Sequence, residues 1–124
     1  NKNFVFDVSG DVNISEALCA ADVLISDYSS LIFEYSLLER PMIFYAYDMD
    51  QYIDSRGFYY DYKEMVPGPI VKDTIQLLSK LENIDEWFDI EKVKRFKEKF
   101  MNACDGNSTS RIIDEIFLKE DNKC

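Results

Sequence analysis

Two apolar runs separated by one helix-length segment constrain the fold of this chain most. Residues 22–26 read Asp-Val-Leu-Ile-Ser, and residues 42–46 read Met-Ile-Phe-Tyr-Ala. Nearly continuous apolar runs of this kind are typical of parallel strands that are covered on both faces. Another strand is predicted over residues 3–8, ahead of a helix over residues 11–21. The alternation of strands and helices predicts a parallel, doubly wound α/β sheet. Its predicted core contains Val5, Phe6, Val8, Val23, Leu24, Ile25, Ile43 and Phe44.

The second half of the chain shows helical signals after one long, tyrosine-rich stretch. Residues 47–69 are too long for an ordinary connection, and long ordered loops in α/β folds are usually functional. Because the chain opens at Asn1 in a strand-like run, residues 1–124 are interpreted as one domain cut from a longer protein. The remaining predicted elements are helices over residues 30–39, 74–81, 90–103 and 109–118, a short strand at residues 70–71, and helix N-caps at Ser15 and Asp73.

Composition excludes several classes of function. The chain has 14 Lys and Arg against 24 Asp and Glu, for a net charge of -10. Nucleic-acid binding and adhesion to an anionic membrane by charge alone are therefore not expected. No apolar run is long enough to span a bilayer, and no signal peptide opens the sequence, so the chain itself is expected to be soluble.

The inventory of chemical groups is equally restrictive. Histidine is absent, which removes the commonest general base and metal ligand. Cys19, Cys104 and Cys124 are far apart and lack the spacing of a metal site or a disulfide framework. We therefore expect reduced thiols, and neither a metal nor a cofactor.

The segment that is best suited to bind a ligand follows the strand at residues 22–26. There Ser29 and Ser30 meet the start of a helix, whose free N–H groups and partial positive charge favour phosphate. Ligands bind beyond the carboxyl ends of strands in open α/β sheets, so the sequence predicts a phosphate or diphosphate site here. Glu34 shares the helix face of Ser30 and is suited to accept hydrogen bonds from sugar or polyol hydroxyls. The alternative is that both serines only cap the helix and that Glu34 is merely solvated. For Asp27 we expect a structural role, either orienting the turn or capping the helix.

Several blocks of sequence, in order, resemble the CDP-glycerol:glycerophosphotransferases of teichoic acid synthesis. They are Ala-Asp-Val-Leu-Ile-Ser-Asp-Tyr-Ser-Ser at 21–30, Phe-Glu-Tyr at 33–35, Arg-Pro-Met-Ile-Phe-Tyr at 40–45, Arg-Gly-Phe-Tyr-Tyr-Asp-Tyr at 56–62, Pro-Gly-Pro-Ile-Val at 67–71 and Asp-Gly-Asn-Ser-Thr-Ser-Arg at 105–111. Blocks in a fixed order are more specific than one Gly-rich loop.

The resemblance implies a Rossmann-like parallel sheet, the C-terminal half-domain of a GT-B fold, which binds the CDP-linked donor. It implies that Ser29, Ser30 and Glu34 contact CDP-glycerol, although the family often has Asp at the last position. The histidines implied as base and diphosphate partner are missing, so no catalytic residue is assigned to this chain, and the fragment alone is expected to be inactive. The resemblance also implies a lipid-linked polyol-phosphate acceptor, bound through other parts of the protein, and peripheral association with the cytoplasmic face of the bacterial membrane.

Other interpretations remain open at this point. The donor could carry ribitol in place of glycerol, or the domain could be a GT-B sugar transferase that uses another nucleotide sugar. Arg56 could pair with a phosphate or with a neighbouring acid. A flavodoxin-like signalling domain is a weaker fit: Asp7 is single, and the strand that should supply the phosphorylated Asp ends in Tyr-Ala-Tyr at residues 45–47.

Overall fold

Three parallel strands form the sheet of the computed structural model, which describes residues 4–10, 12–49, 51–52 and 61–118. The strands are β1 (Leu24–Ser26), β2 (Met42–Tyr45) and β3 (Ile70–Val71), and β2 lies in the middle. Leu24 of β1 is in register with Met42 of β2. The pairing of β1 with β2 and the pairing of β2 with β3 are both parallel. The predicted parallel α/β sheet is therefore confirmed.

Helices connect and flank these strands. Most predicted helices are confirmed within a few residues, and Asp73 caps its helix as predicted, since its Oδ1 accepts from the Gln76 N–H at 2.8 Å. The first cap was predicted wrongly: Asn13 caps that helix and accepts from the N–H of Ser15. The helices are α1 (Ile14–Ala20), α2 (Leu31–Ser36), α3 (Tyr62–Met65), α4 (Thr74–Glu82), α5 (Ile84–Trp87), α6 (Ile90–Met101) and α7 (Ser108–Ile113), which runs into a π-helical turn (Asp114–Leu118).

The core lies around β2 and between α2 and α6. Met42, Ile43 and Phe44 of β2 are at most 1% exposed, because β2 has a strand on each side and helices over its faces. Between the two helices, the ring of Phe33 stacks on that of Phe96 with centroids 5.4 Å apart. Burial of a large apolar side chain contributes about 1.5–3 kcal/mol. The contact between α2 and α6 therefore fixes the helix on which Ser30 and Glu34 lie.

Part of the predicted core is wrong. The predicted strand over residues 3–8 is not formed in its described residues, and Val5, Phe6 and Val8 are 76%, 74% and 50% exposed. A strand needs a neighbour for its backbone hydrogen bonds. Among the described residues β1 pairs only with β2, so no further strand lies along the other edge of β1. Ile25 is 45% exposed because β1 lies at the edge of this sheet.

Arg40 ties the end of α1 to the start of β1. Its Nη1 donates to the carbonyl oxygens of Cys19 at 2.8 Å and Ala21 at 2.7 Å. The hydroxyl of Tyr35 also donates to the Ala21 carbonyl, at 3.0 Å. A cation that satisfies the free carbonyls at a helix end is favourable. Arg40 thus has a structural role in placing β1.

The Pro67-Gly68-Pro69 turn packs directly on the backbone of β2. The Pro69 carbonyl accepts from the Phe44 N–H at 2.9 Å. A Cβ on Gly68 would lie 2.0 Å from the Met42 carbonyl oxygen, so only glycine fits without a backbone shift. The turn therefore sets where β3 joins the sheet.

The end of the described chain is exposed. The helix predicted over residues 109–118 begins as α7, and its apolar residues Ile112, Ile113, Ile116 and Phe117 are between 44% and 66% exposed. Within the described ranges, no helix has both the length and the apolar character that a bilayer crossing requires.

Candidate functional site

A cavity of about 540 Å³ opens at the carboxyl ends of the strands. Ser26 and Tyr45, the last residues of β1 and β2, contribute to its lining, and Thr74 at the start of α4 faces them. This is the edge at which open α/β sheets bind their ligands, and the volume is that of a small-molecule site. The other lining residues are Ile25, Asp27, Ser29, Leu31 and Leu77.

Ser29 makes local hydrogen bonds and also lines this cavity. Its Oγ accepts from the Leu31 N–H at 3.3 Å, and its own N–H donates to the Asp27 Oδ1 at 3.2 Å. The structural role predicted for Asp27 is confirmed by this bond. Because Ser29 lines the cavity while it caps α2, its hydroxyl stands where the strand meets the helix.

Ser30 differs from its neighbour. It occupies the N-cap position of α2 with helical backbone angles (φ -66°, ψ -10°), and its side chain makes no capping hydrogen bond. The side chain is exposed and is absent from the cavity lining. Ser30 therefore occupies the N-cap position without a side-chain cap, and its exposed hydroxyl lies at the helix end.

Glu34 lies one turn beyond Ser30 on α2. It is exposed and outside the cavity lining, and it forms no ion pair with the residues that the structure describes. The structure therefore brings Ser29 to the cavity, and places Ser30 and Glu34 on the adjoining exposed face of α2. A ligand that contacts all three must extend from the cavity over the start of this helix.

The sequence predicted the helix that starts after Asp73, but it did not predict that this helix start lies at the same cavity. Thr74 is the first residue of α4, which follows β3 and is capped by Asp73. The signal was present, because Ile70-Val71 followed by Asp73 repeats the strand-to-capped-helix pattern of residues 24–31. Each helix start carries a partial positive charge, so two of them around one cavity favour an anionic ligand.

Tyrosines brace the turn behind Ser29. The ring of Tyr28 stacks on Tyr52 with centroids 3.9 Å apart, and its hydroxyl donates to the Asp48 Oδ1 at 3.0 Å. Tyr62, which is 3% exposed, donates its hydroxyl to the Asp27 carbonyl at 2.7 Å. Burial raises the pKa of both Tyr28 and Tyr62 above 10, so both hydroxyls stay protonated donors at neutral pH.

Tyr52 and Tyr62 of the tyrosine-rich stretch therefore pack against the turn at the end of the sheet. Arg56 and the aromatic residues at 58–60 lie outside the described residues. Across the described ranges, no three Cys, Asp or Glu side chains come together in an arrangement that could hold a metal ion.

A parallel α/β sheet with an open cavity and helix starts at its carboxyl edge belongs to the class of α/β domains that bind their ligands at this edge. The family model described as CDP-Glycerol:Poly(glycerophosphate) glycerophosphotransferase matches residues 1–118. The chain belongs to this family.

Individual relatives agree with this assignment. The chain is 46% identical over 118 residues to a teichoic acid glycerol-phosphate transferase of Staphylococcus aureus, covering 93% of this chain and 30% of the relative. It is 41% identical over 119 residues to a teichoic acid poly(ribitol-phosphate) polymerase of Bacillus spizizenii, covering 96% of this chain and 19% of the relative. The chain thus spans less than a third of the length of these relatives.

A solved structure of the wall teichoic acid polymerase TagF superposes with a TM-score of 0.81 at 38% identity, covering 99% of this chain and 31% of that chain. TagF has also been solved as a variant with CDPG, again with a TM-score of 0.81. The expected fold class, a Rossmann-like parallel domain of GT-B type, is confirmed.

Proposed function

We propose that this chain is the donor-binding part of a polyol-phosphate transferase, a piece of the C-terminal nucleotide-binding domain of a larger protein. The transferase moves glycerol phosphate from CDP-glycerol to a teichoic-acid-type acceptor and releases CMP. The cavity at the carboxyl edge of the sheet carries this proposal. Ser29 lines it, and beside it lies the Ser30 hydroxyl, which makes no capping hydrogen bond. Family membership and the TagF structure with CDPG support the choice of donor.

Different site residues bind different parts of the donor. The hydroxyls of Ser29 and Ser30, together with the partial positive charge at the start of α2, hold the diphosphate. Glu34 accepts hydrogen bonds from hydroxyls of the ribose or the polyol. These contacts need no lysine, which suits a chain whose net charge is -10.

The transfer itself needs groups that this chain lacks. An acceptor hydroxyl attacks the phosphorus that carries the glycerol, the bond from that phosphorus to the CMP oxygen breaks, and CMP leaves with the electron pair. A base must take the proton of the hydroxyl, and positive charge must stabilise the leaving phosphate. The chain contains no histidine. We place the base and the reacting end of the acceptor on other parts of the larger protein.

A CDP-ribitol donor is the second candidate. Relatives at 40% to 46% identity include both glycerol-phosphate and ribitol-phosphate enzymes, so identity does not separate them. Competition between CDP-glycerol and CDP-ribitol for the longer transferase separates the two donors. A preference for UDP-linked or GDP-linked sugars would contradict both.

The proposed location is the cytoplasmic face of the bacterial membrane, where the transferase associates peripherally and meets a lipid-linked polyol-phosphate acceptor. The teichoic acid enzymes among its relatives support this assignment. Membrane fractionation of the longer protein tests it, since release by high salt is expected of a peripheral protein.

Substitutions in the longer transferase test the donor site. Ser30→Ala is expected to raise the donor KM by about tenfold, because a hydrogen bond to a charged group contributes roughly 1.5–3 kcal/mol and part is regained from water. Ser29→Ala and Glu34→Gln are also expected to raise it. Ser15→Ala, an exposed serine in the first turn of α1, is the matched control and should leave it unchanged.

Ser29→Ala also removes the bond to the Leu31 N–H, so its folding must be checked by circular dichroism. If all three site variants fold and keep the wild-type KM and kcat, the donor does not bind here.

A further inference from the structure

A second concave site lies between α3 and α6, away from the cavity at the strand ends. It has a volume of about 390 Å³. Four cationic side chains line it: Lys63 of α3, and Lys92, Arg95 and Lys99 of α6. The one acidic residue in its lining is Glu64. We call this site the basic groove.

The concentration of positive charge runs against the composition of the chain. Acids outnumber bases by 24 to 14, so most cations could find a carboxylate nearby. On the other side of α6, Lys94 pairs with Glu91, and Lys97 pairs with Glu39. In the groove, Lys63, Lys92 and Arg95 form no ion pair with described residues. Cations left unneutralised around one concavity indicate an anionic ligand.

The spacing of these cations favours an extended ligand. Lys92, Arg95 and Lys99 stand at positions i, i+3 and i+7 of α6, so they share one helix face. At 1.5 Å per residue, the row spans about 10 Å along the axis. A single phosphate is much smaller than this row, whereas a chain with phosphates at regular intervals can meet several cations at once.

The floor of the groove is apolar. Phe96 is 4% exposed and Phe100 is partly buried, and both line the groove. The Nζ of Lys99 lies 5.1 Å from the centre of the Phe100 ring. Such a floor can pack against carbon atoms between the phosphates of a polyol-phosphate chain while the cations reach the phosphates.

Contacts made by neighbouring residues link the proposed donor site to this groove. Phe33, the neighbour of Glu34 on α2, stacks on Phe96 of the floor. Tyr62, the neighbour of Lys63, bonds to the Asp27 carbonyl at the donor cavity. The basic groove and the donor site are therefore joined through α2 and α3.

We propose that the basic groove binds the phosphodiester backbone of the poly(polyol phosphate) acceptor chain, away from its reacting end. This inference rests on the proposed function, in which such a chain is the acceptor. It also places a polyanionic ligand on a chain whose net charge of -10 is unfavourable to such a ligand on average. An anionic membrane plane suits the groove less, because it would meet the surrounding acidic surface as well as the cations.

The test compares two double variants of the longer transferase with the same change in charge. The groove variant is Lys92→Gln with Arg95→Gln, and the control is Lys80→Gln with Lys94→Gln, outside the groove lining. Fluorescence anisotropy measures binding of a labelled, synthetic glycerol-phosphate oligomer at low and moderate salt. We expect about tenfold weaker binding for the groove variant, with a shallower salt dependence because fewer counterions are released. The control should bind as wild type.

Two further arms separate the explanations. Binding to phosphatidylglycerol vesicles is expected to be the same for both variants, and CMP release with a single-unit acceptor is expected to be unaffected. Equal oligomer binding by both variants overturns the proposal, as does a groove variant that loses vesicle binding but keeps the oligomer. If wild type releases no CMP from any CDP-polyol, the proposed function fails, while the oligomer assay still judges the groove by itself.

Discussion

Replacing Tyr62 by phenylalanine isolates one hydrogen bond beside the cavity at the strand ends. The ring stays in place, at 5.3 Å from the Tyr28 ring and 6.1 Å from the Phe44 ring, so the buried apolar area is kept. The change removes the 2.7 Å bond to the Asp27 carbonyl. A bond of this kind contributes a net ~0.5–1.5 kcal/mol to the free energy of unfolding. Because Asp27 is exposed, its carbonyl regains water, and we expect a loss of about 1 kcal/mol.

Urea unfolding of the chain, followed by circular dichroism, measures this loss. With a slope of about 1–3 kcal/mol per molar urea, the midpoint should fall by roughly 0.3–1 M. Tyr47→Phe is the matched control, since Tyr47 is 69% exposed, and it should change the free energy by less than about 0.5 kcal/mol. In the longer transferase, Tyr62→Phe should also raise the donor KM, because the loop of Ser29 loses its brace. An unchanged midpoint, or an equal shift for both variants, would refute this account of the turn.

Two further predictions concern the turn before β3 and the loop after α6. Gly68→Ala should destabilise the chain by roughly 1–3 kcal/mol in urea unfolding, because its Cβ would overlap the Met42 carbonyl oxygen; an unchanged stability would show that the turn moves freely. The Arg111 guanidinium lowers the pKa of Asp105 to about 2, from an ordinary value of 3.8. The pair therefore stabilises the folded chain above pH 4, and its contribution is lost as the pH falls through about 2. Carboxyl NMR titration should show this midpoint, and Arg111→Gln should move it upward; the same midpoint in both proteins would contradict the assignment.

The sheet was predictable where local pattern and burial agree. Residues 42–45 are apolar throughout and become the fully paired central strand, so pattern, propensity and position coincide. Asp73 was predictable for a similar reason, since a capping residue ahead of a periodic helix has one favoured role. The strand expected over residues 3–8 is not formed in its described part, residues 4–8, because an apolar run forms a strand only beside a partner, which the run itself does not specify.

The site was predictable in its position and less so in its details. Ser29 and Ser30 are adjacent residues of the same type, yet one caps α2 while the hydroxyl of the other makes no cap. Backbone angles at the helix start decide this difference, and no spacing rule contains them. Thr74 was missed because the fold alone brings it to the cavity, from a position 45 residues beyond Ser29 in the sequence.

The charge of the chain shows how an average over residues conceals a site. A net charge of -10 argues against any polyanionic partner only if both signs are mixed evenly over the surface. On α6 they are not: positions 92, 95 and 99 share one face, while Lys94 and Lys97 lie towards another and pair with acids. This separation follows from 3.6 residues per turn and is encoded in the sequence as i, i+3, i+7. Charge counted by helix face, and not by chain, therefore indicates the cationic side of the basic groove from the sequence of α6 alone.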